Sequence, residues 1–124
     1  MEKKDISTQE DIKQMVDSFY DKVNQHELLS PIFNDIAKVD WDSHLPIMYR
    51  FWGSILLGEA TYTGHPFAKH IPLPINRYHF EAWVSLFIKN VAEQFEGTNA
   101  EEAMLRAKTI GQIFQAKKEY LSKQ

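Results

Sequence analysis

The chain contains no cysteine. That absence excludes disulfide scaffolds, cysteine zinc sites, iron–sulfur clusters and any cofactor held through a thiolate or thioether bond. No apolar run approaches membrane length, and residues 1–11 hold no apolar stretch suited to a secretory signal. A reducing cytoplasm is therefore the expected location. Neither sign of charge dominates, since 14 Lys and Arg stand against 17 Asp and Glu for a net charge of −3. This balance argues against nucleic acid or an anionic membrane as the main partner, because both select for basic patches. Gly-rich phosphate loops, HExxH, GxSxG and EF-hand loops are also missing. What is abundant is aromatic: 8 Phe, 5 Tyr and 3 Trp make up 13% of 124 residues, beside five histidines. Rings at that density either fill a core or line a pocket for a flat ligand. The length suits one domain, which can bury roughly two thirds of its unfolded surface without staples.

Periodicity predicts an all-α chain with four long helices and two short ones. In the first, Ser7 and Glu10 have capping-box spacing, and Ile12, Met15, Val16, Phe19, Tyr20 and Val23 form one apolar ladder that fades near Gln25. Ser30 and Pro31 then introduce a short turn over residues 31–37. The second long helix starts between Asp40 and Ser43 and stops before Gly58, with Trp41, His44, Leu45, Met48, Phe51 or Trp52, and Ile55 on its buried stripe. Pro46 predicts an irregular entry to it. Gly58, Gly64, Pro66, Pro72 and Pro74 then forbid a long helix, leaving one or two turns over residues 66–71.

Asn76 caps the third long helix, whose ladder is Phe80, Trp83, Val84, Phe87, Ile88, Val91 and Phe95, and Gly97 ends it with a left-handed stop. Thr98 and Glu101 repeat the capping-box spacing ahead of the last helix, which carries Ala103, Ala107, Ile110, Phe114 and Leu121. Ala103, Ala107 and Gly111, four apart, allow another helix to come close.

Histidine is the remaining source of chemistry. His26 follows a helix end, where a cation is welcome. His79 beside Phe80 reads as a partly buried structural residue, and His65 is a loop residue of open role. His44 lies on an apolar stripe one turn before Met48, and His70 sits among Phe67, Ile71 and Leu73. On spacing alone, both are core residues or both face one ligand.

Taken in order, Phe19-Tyr20, Pro31-Ile32-Phe33, Trp41-Asp42-Ser43-His44-Leu45-Pro46, Phe51-Trp52, Tyr62-Thr63-Gly64-His65-Pro66, Lys69-His70 and His79-Phe80-Glu81-Ala82-Trp83 resemble a truncated haemoglobin, most of all its group III. The resemblance covers essentially the whole chain. It implies a shortened globin fold, a two-over-two helical sandwich with a short proximal helix, holding haem b without a covalent link. His70 resembles the proximal iron ligand. Tyr20, His44, Met48 and Trp83 resemble distal-pocket residues, Met48 standing where the group often has an aliphatic side chain. Phe33 resembles the phenylalanine that packs on the porphyrin, and Phe51, Tyr62, Phe67, Lys69, Ile71 and Arg77 are further cofactor-binding candidates. With Trp83 distal, His79 at i−4 leaves the same helix face and is a poor proximal ligand, which favours His70.

The resemblance further implies oxygen binding of high affinity through polar distal groups, with nitric oxide, carbon monoxide, cyanide or peroxide as other ligands. Redox work on oxygen or nitric oxide would draw electrons from a separate reductase, since a chain of this length has no room for a flavin or nicotinamide domain. No acid beside His70 suggests a dedicated peroxidase. A haem-based sensor and a haem-free helical interaction module are the alternatives.

Overall fold

In a computed structural model, residues 3–58 and 76–122 are described. Four α-helices account for most of them: α1 (Gln9–Gln25), α2 (Trp41–Leu56), α3 (Arg77–Gln94) and α4 (Thr98–Ser122). They pack as two pairs. α1 lies on α2, α3 lies on α4, and α1 also rests on α3 while α2 touches α4. This is the all-α, two-over-two arrangement that the resemblance implies. The short proline-bounded element expected over residues 66–71 falls outside the described residues, as do His65 and His70.

The ladder of α1 folds as its spacing predicts, with Ile12, Met15, Val16, Phe19, Tyr20 and Val23 all buried. Its cap, however, is one residue later than expected. Thr8 is the N-cap and Asp11, rather than Glu10, closes the box, donating nothing and accepting from the backbone N–H groups of Ser7 and Thr8 at 3.0 and 3.1 Å. Lys4 adds an ion pair to Asp11 at 3.0 Å. Burial works to raise the Asp11 carboxyl's pKa, yet these donors outweigh it and hold the group below its ordinary range.

The segment before α1 is stapled to the start of α4. The Asp5 carboxylate accepts from the N–H groups of Asn99 at 3.0 Å and Ala100 at 2.8 Å, so it caps a helix that begins over ninety residues away. The capping box expected from Thr98 and Glu101 is displaced by this long-range cap, whose geometry no local pattern encodes. Gly97 makes it possible: at φ +131°, a Cβ there would lie 2.6 Å from Asp5 Cγ. Gly97 sits two residues past the α3 C-cap Phe95, so its role is room for Asp5 rather than the helix stop expected of it.

α2 is regular from Trp41 onward, with Pro46 inside it and Asp40 as N-cap. The irregular entry expected from Pro46 is not found. Only the carbonyl of Asp42 lies four residues before Pro46, so the ring removes a single helical bond near the helix start. Before α2, residues 32–36 form a π turn (Ile32–Ile36) in which the Ala37 N–H reaches the Ile32 carbonyl at 2.9 Å. That turn is wider than the ordinary helical turn expected there.

Between α3 and α4 the small residues act as their spacing predicts. Ala103, Ala107 and Gly111 are buried, and a Cβ on Gly111 would lie 2.5 Å from Val84 Cγ2. Asn90, fully buried on α3, ties that pair to α1 by donating to the Met15 carbonyl at 3.0 Å and accepting from Lys22 Nζ at 2.7 Å. Among the described residues no helix is long and apolar enough to cross a membrane.

Candidate functional site

α2 and α3 meet through side chains such as Trp52, which stacks on Phe87 with ring centres 4.7 Å apart. The deeply buried residues of α2 are Trp52, Gly53 and Leu56. The expected stripe is different in kind: Trp41, His44, Leu45, Met48, Phe51 and Ile55 are only half-buried, resting on the core by one side. Phe33 on the π turn, and Trp83 and Leu86 on α3, share that condition. An apolar wall covered on one side only suits a flat apolar ligand, which would otherwise cost free energy left in water.

At one end of this wall four rings meet. Tyr20 comes from α1, Phe33 from the π turn, and Trp41 and His44 from α2, where i, i+3 spacing puts both on one face. Tyr20 lies edge-on to Phe33 at 5.9 Å and to His44 at 5.2 Å, and tilted against Trp41 at 5.2 Å. Trp41 stacks on Phe33 and meets the His44 ring edge-on. The Tyr20 hydroxyl and His44 Nε2 form a hydrogen bond of 3.2 Å. Burial pushes the Tyr20 phenol far above its ordinary range, so it stays protonated at any physiological pH. With a proton on Nε2, His44 donates to Tyr20 and frees the phenol to donate onward; with Nε2 bare, Tyr20 spends its proton on His44. The tautomer of one histidine therefore sets the number of donors this end presents.

Trp83, expected beside these groups, stands one ring away. Phe19 stands between them, touching Tyr20 at 4.9 Å and Trp83 at 5.7 Å, while Phe87 stacks on Trp83 at 5.7 Å. The Trp83 indole N–H has no acceptor among the described residues, and an indole can only donate. Met48 and Phe51 lie along the half-buried wall as expected. The Arg77 guanidinium donates to the Tyr78 hydroxyl at 3.1 Å and lies over that exposed ring. Its neighbour in sequence, Tyr78, thus satisfies the cation at the surface. Tyr62, Phe67, Lys69, His70 and Ile71 lie outside the described residues.

Two other histidines are accounted for by backbone. His79 Nδ1 accepts from the Asn76 N–H at 3.1 Å, completing a capping box for α3, and burial holds its pKa below the ordinary value. This agrees with a structural role. His26, expected as a helix-end cation, instead accepts the N–H groups of Leu28 and Leu29 at Nδ1, at 3.2 and 3.4 Å, because the chain turns back over the ring.

The half-buried apolar wall thus ends in a buried phenol and an imidazole bonded to each other. The chain belongs to the bacterial-like globin family, whose model it matches over residues 4–115. It is similar to the group 3 truncated hemoglobin ctb of Campylobacter jejuni, 33% identical over 111 residues that span 86% of this chain and 87% of that protein. It is 37% identical over 80 residues to the group 2 truncated hemoglobin YjbI of Bacillus subtilis, spanning 60% and 57% of the two chains. A crystal structure of the group III truncated hemoglobin from Campylobacter jejuni superposes with a TM-score of 0.82, at 33% identity, over 93% of this chain and 94% of that one. Membership of this family brings haem binding of the globin type and the binding of diatomic gases with it.

Sequence reasoning missed Trp41 as a member of this ring group and Asn34 as the acceptor of its indole N–H, at 3.0 Å. The signal for Trp41 was present, since it stands three residues before His44 on the same stripe. Asn34 carried none, being an exposed polar residue in a turn.

Proposed function

We propose that the 124 residues form one globin unit that binds haem b non-covalently and retains oxygen with high affinity. Haem supplies a redox-active iron able to bind a diatomic molecule. His70 would hold the iron through a neutral imidazole, with Phe33, Met48, Phe51, Phe67 and Ile71 against the macrocycle and Tyr62 and Lys69 at its propionates. The observation that carries this reading is the buried Tyr20 hydroxyl, bonded to His44 at 3.2 Å in surroundings that are otherwise aromatic. An apolar site built for hydrophobic packing alone has no use for a buried phenol and an imidazole.

Tyr20 and Trp83 are fixed proton donors, and His44 adjusts the first of them. Oxygen drawing electron density from a reduced partner carries partial negative charge, so each aimed donor slows its departure. A good hydrogen bond in a dry pocket contributes roughly 1–3 kcal/mol, or about five- to 150-fold in release rate. Nitric oxide, carbon monoxide, cyanide and peroxide are the other ligands such a pocket admits, and turnover on nitric oxide or peroxide would use electrons from a separate reductase in the cytoplasm.

The test begins with colour. The purified chain should show a Soret band that His70→Ala abolishes. Tyr20→Phe and Trp83→Leu should each speed oxygen release by about tenfold, measured by stopped flow. A colourless protein that ignores added hemin would sink the haem reading, and unchanged release in both variants would sink the donor argument. Rapid conversion of the oxygenated protein by nitric oxide to the ferric form and nitrate would assign it to turnover rather than storage.

A further inference from the structure

We propose that Trp41 is a positioning residue for the Tyr20–His44 pair, anchored by its indole N–H on Asn34. The inference rests on the haem reading above and concerns how that site is held. Trp41 and Tyr20 are the two rings that touch each of the other members of the four-ring group. The Trp41 ring is nearly parallel to Phe33, at 20° and 5.9 Å, and nearly perpendicular to His44, at 81° and 5.6 Å. A rotation of its indole about χ2 would break the stack and remove the wall against which the imidazole stands. The indole N–H opposes that rotation, donating to Asn34 Oδ1 at 3.0 Å.

The acceptor is itself fixed. Asn34 Nδ2 reaches the Asn24 side-chain oxygen at 2.8 Å, the Ser30 carbonyl at 3.1 Å and the Ser30 hydroxyl at 3.2 Å. Flipping the amide would set its oxygen against the Ser30 carbonyl and its NH2 against an indole N–H that can only donate, so Oδ1 is held toward Trp41. Through this one side chain the C-terminal turn of α1, the π turn and the first turn of α2 are tied together. An exposed hydrogen bond contributes little to stability. Its use is to give the tryptophan one orientation, and so give His44 one position relative to the Tyr20 hydroxyl. π-type turns inside helical proteins often stand at functional sites, and this one places Phe33 on the face and Asn34 at the N–H edge of the same indole.

The experiment uses the haem-loaded protein with Trp41→Phe, which keeps a ring and loses the N–H, and Asn34→Ala, which removes the acceptor. Each should release oxygen and carbon monoxide about fivefold faster than wild type, with the double variant no faster than either single one, because both remove the same link. The carbon monoxide adduct should change from one C–O stretching band to several, since a loosened His44 presents more than one donor geometry. Exchange of the Trp41 indole proton, followed by NMR, should be faster in Asn34→Ala, while the thermal midpoint moves little in both variants. Wild-type release rates and an unchanged C–O band with a full Soret band would overturn this inference alone. A chain that takes up no haem would overturn the functional reading, and the positioning role with it.

Discussion

The two ends of α1 do different work with similar materials. Its first turn and the segment before it place two carboxylates against the fold, and both are matched: Asp11 by backbone N–H groups and Lys4, and Asp5 by the start of α4. Its last turns gather rings, and among them the buried Tyr20 phenol can donate or accept beyond its bond to His44, while the Trp83 indole N–H has no acceptor among the described residues. Groups that spend all their capacity within the chain hold the fold, whereas groups with capacity left over can hold a ligand. Burial treats both alike, so accessibility by itself would not tell them apart.

The largest effect expected from breaking the first end is at Gly97. Gly97→Ala puts a methyl group 2.6 Å from Asp5 Cγ at a φ of +131°, which L side chains rarely adopt. The cost should be about 2–4 kcal/mol, from backbone strain together with the lost cap. Urea denaturation measures it. Oxygen release from whatever fraction stays folded should match wild type, because the clasp shares no residue with the four rings. A faster release would show that the two ends are coupled after all.

Much of this was legible in the sequence, and the omissions have a common cause. The ladders of α1 and α3, the Asn76 cap and the small-residue approach of α4 follow from local spacing, because each is a repeat along a single helix. The Asp5 cap joins residues more than ninety positions apart, and the Trp41–Asn34 bond joins a turn to a helix across an irregular π turn. No periodicity encodes either. Tyr20 and His44 were identifiable from a resemblance to known sequences, but their mutual bond was not, and neither was the ring of Phe19 standing between them and Trp83.

Acid should sharpen the contrast in two stages. His79 is held neutral in the fold below its ordinary value of 6.5, so the unfolded chain takes its proton first. Stability is then full above about 6.5 and falls as pH drops toward the folded value. Asp5 and Asp11 are held below their ordinary 3.8, because backbone donors outweigh the opposing effect of burial. Their contribution is present above 3.8 and is lost as pH falls through the folded values. Unfolding free energy against pH should show a shallow decline below pH 6.5 and a steeper one below pH 4. His79→Gln, which keeps a capping acceptor, should remove the first. Asp5→Ala should lower stability at pH 7 by about 1–2 kcal/mol and flatten the second.

The smallest effect concerns strain. At the clasp a positive φ falls on glycine, but at the corner between the π turn and α2 it falls on Lys38, at φ +51°. A left-handed lysine costs roughly 1–2 kcal/mol, and a glycine there would recover part of it while losing more chain entropy on folding. Lys38→Gly should therefore stabilise the protein by about 0.5 kcal/mol, seen as a slightly higher denaturation midpoint. The corner sets how Phe33 approaches Trp41, so oxygen release is the more informative measurement. If the Asn34 anchor fixes that approach, a more permissive corner leaves release unchanged. If release quickens while stability rises, the stiffness of the lysine backbone is itself part of what holds the rings, and strain at the ligand end has been kept for that purpose.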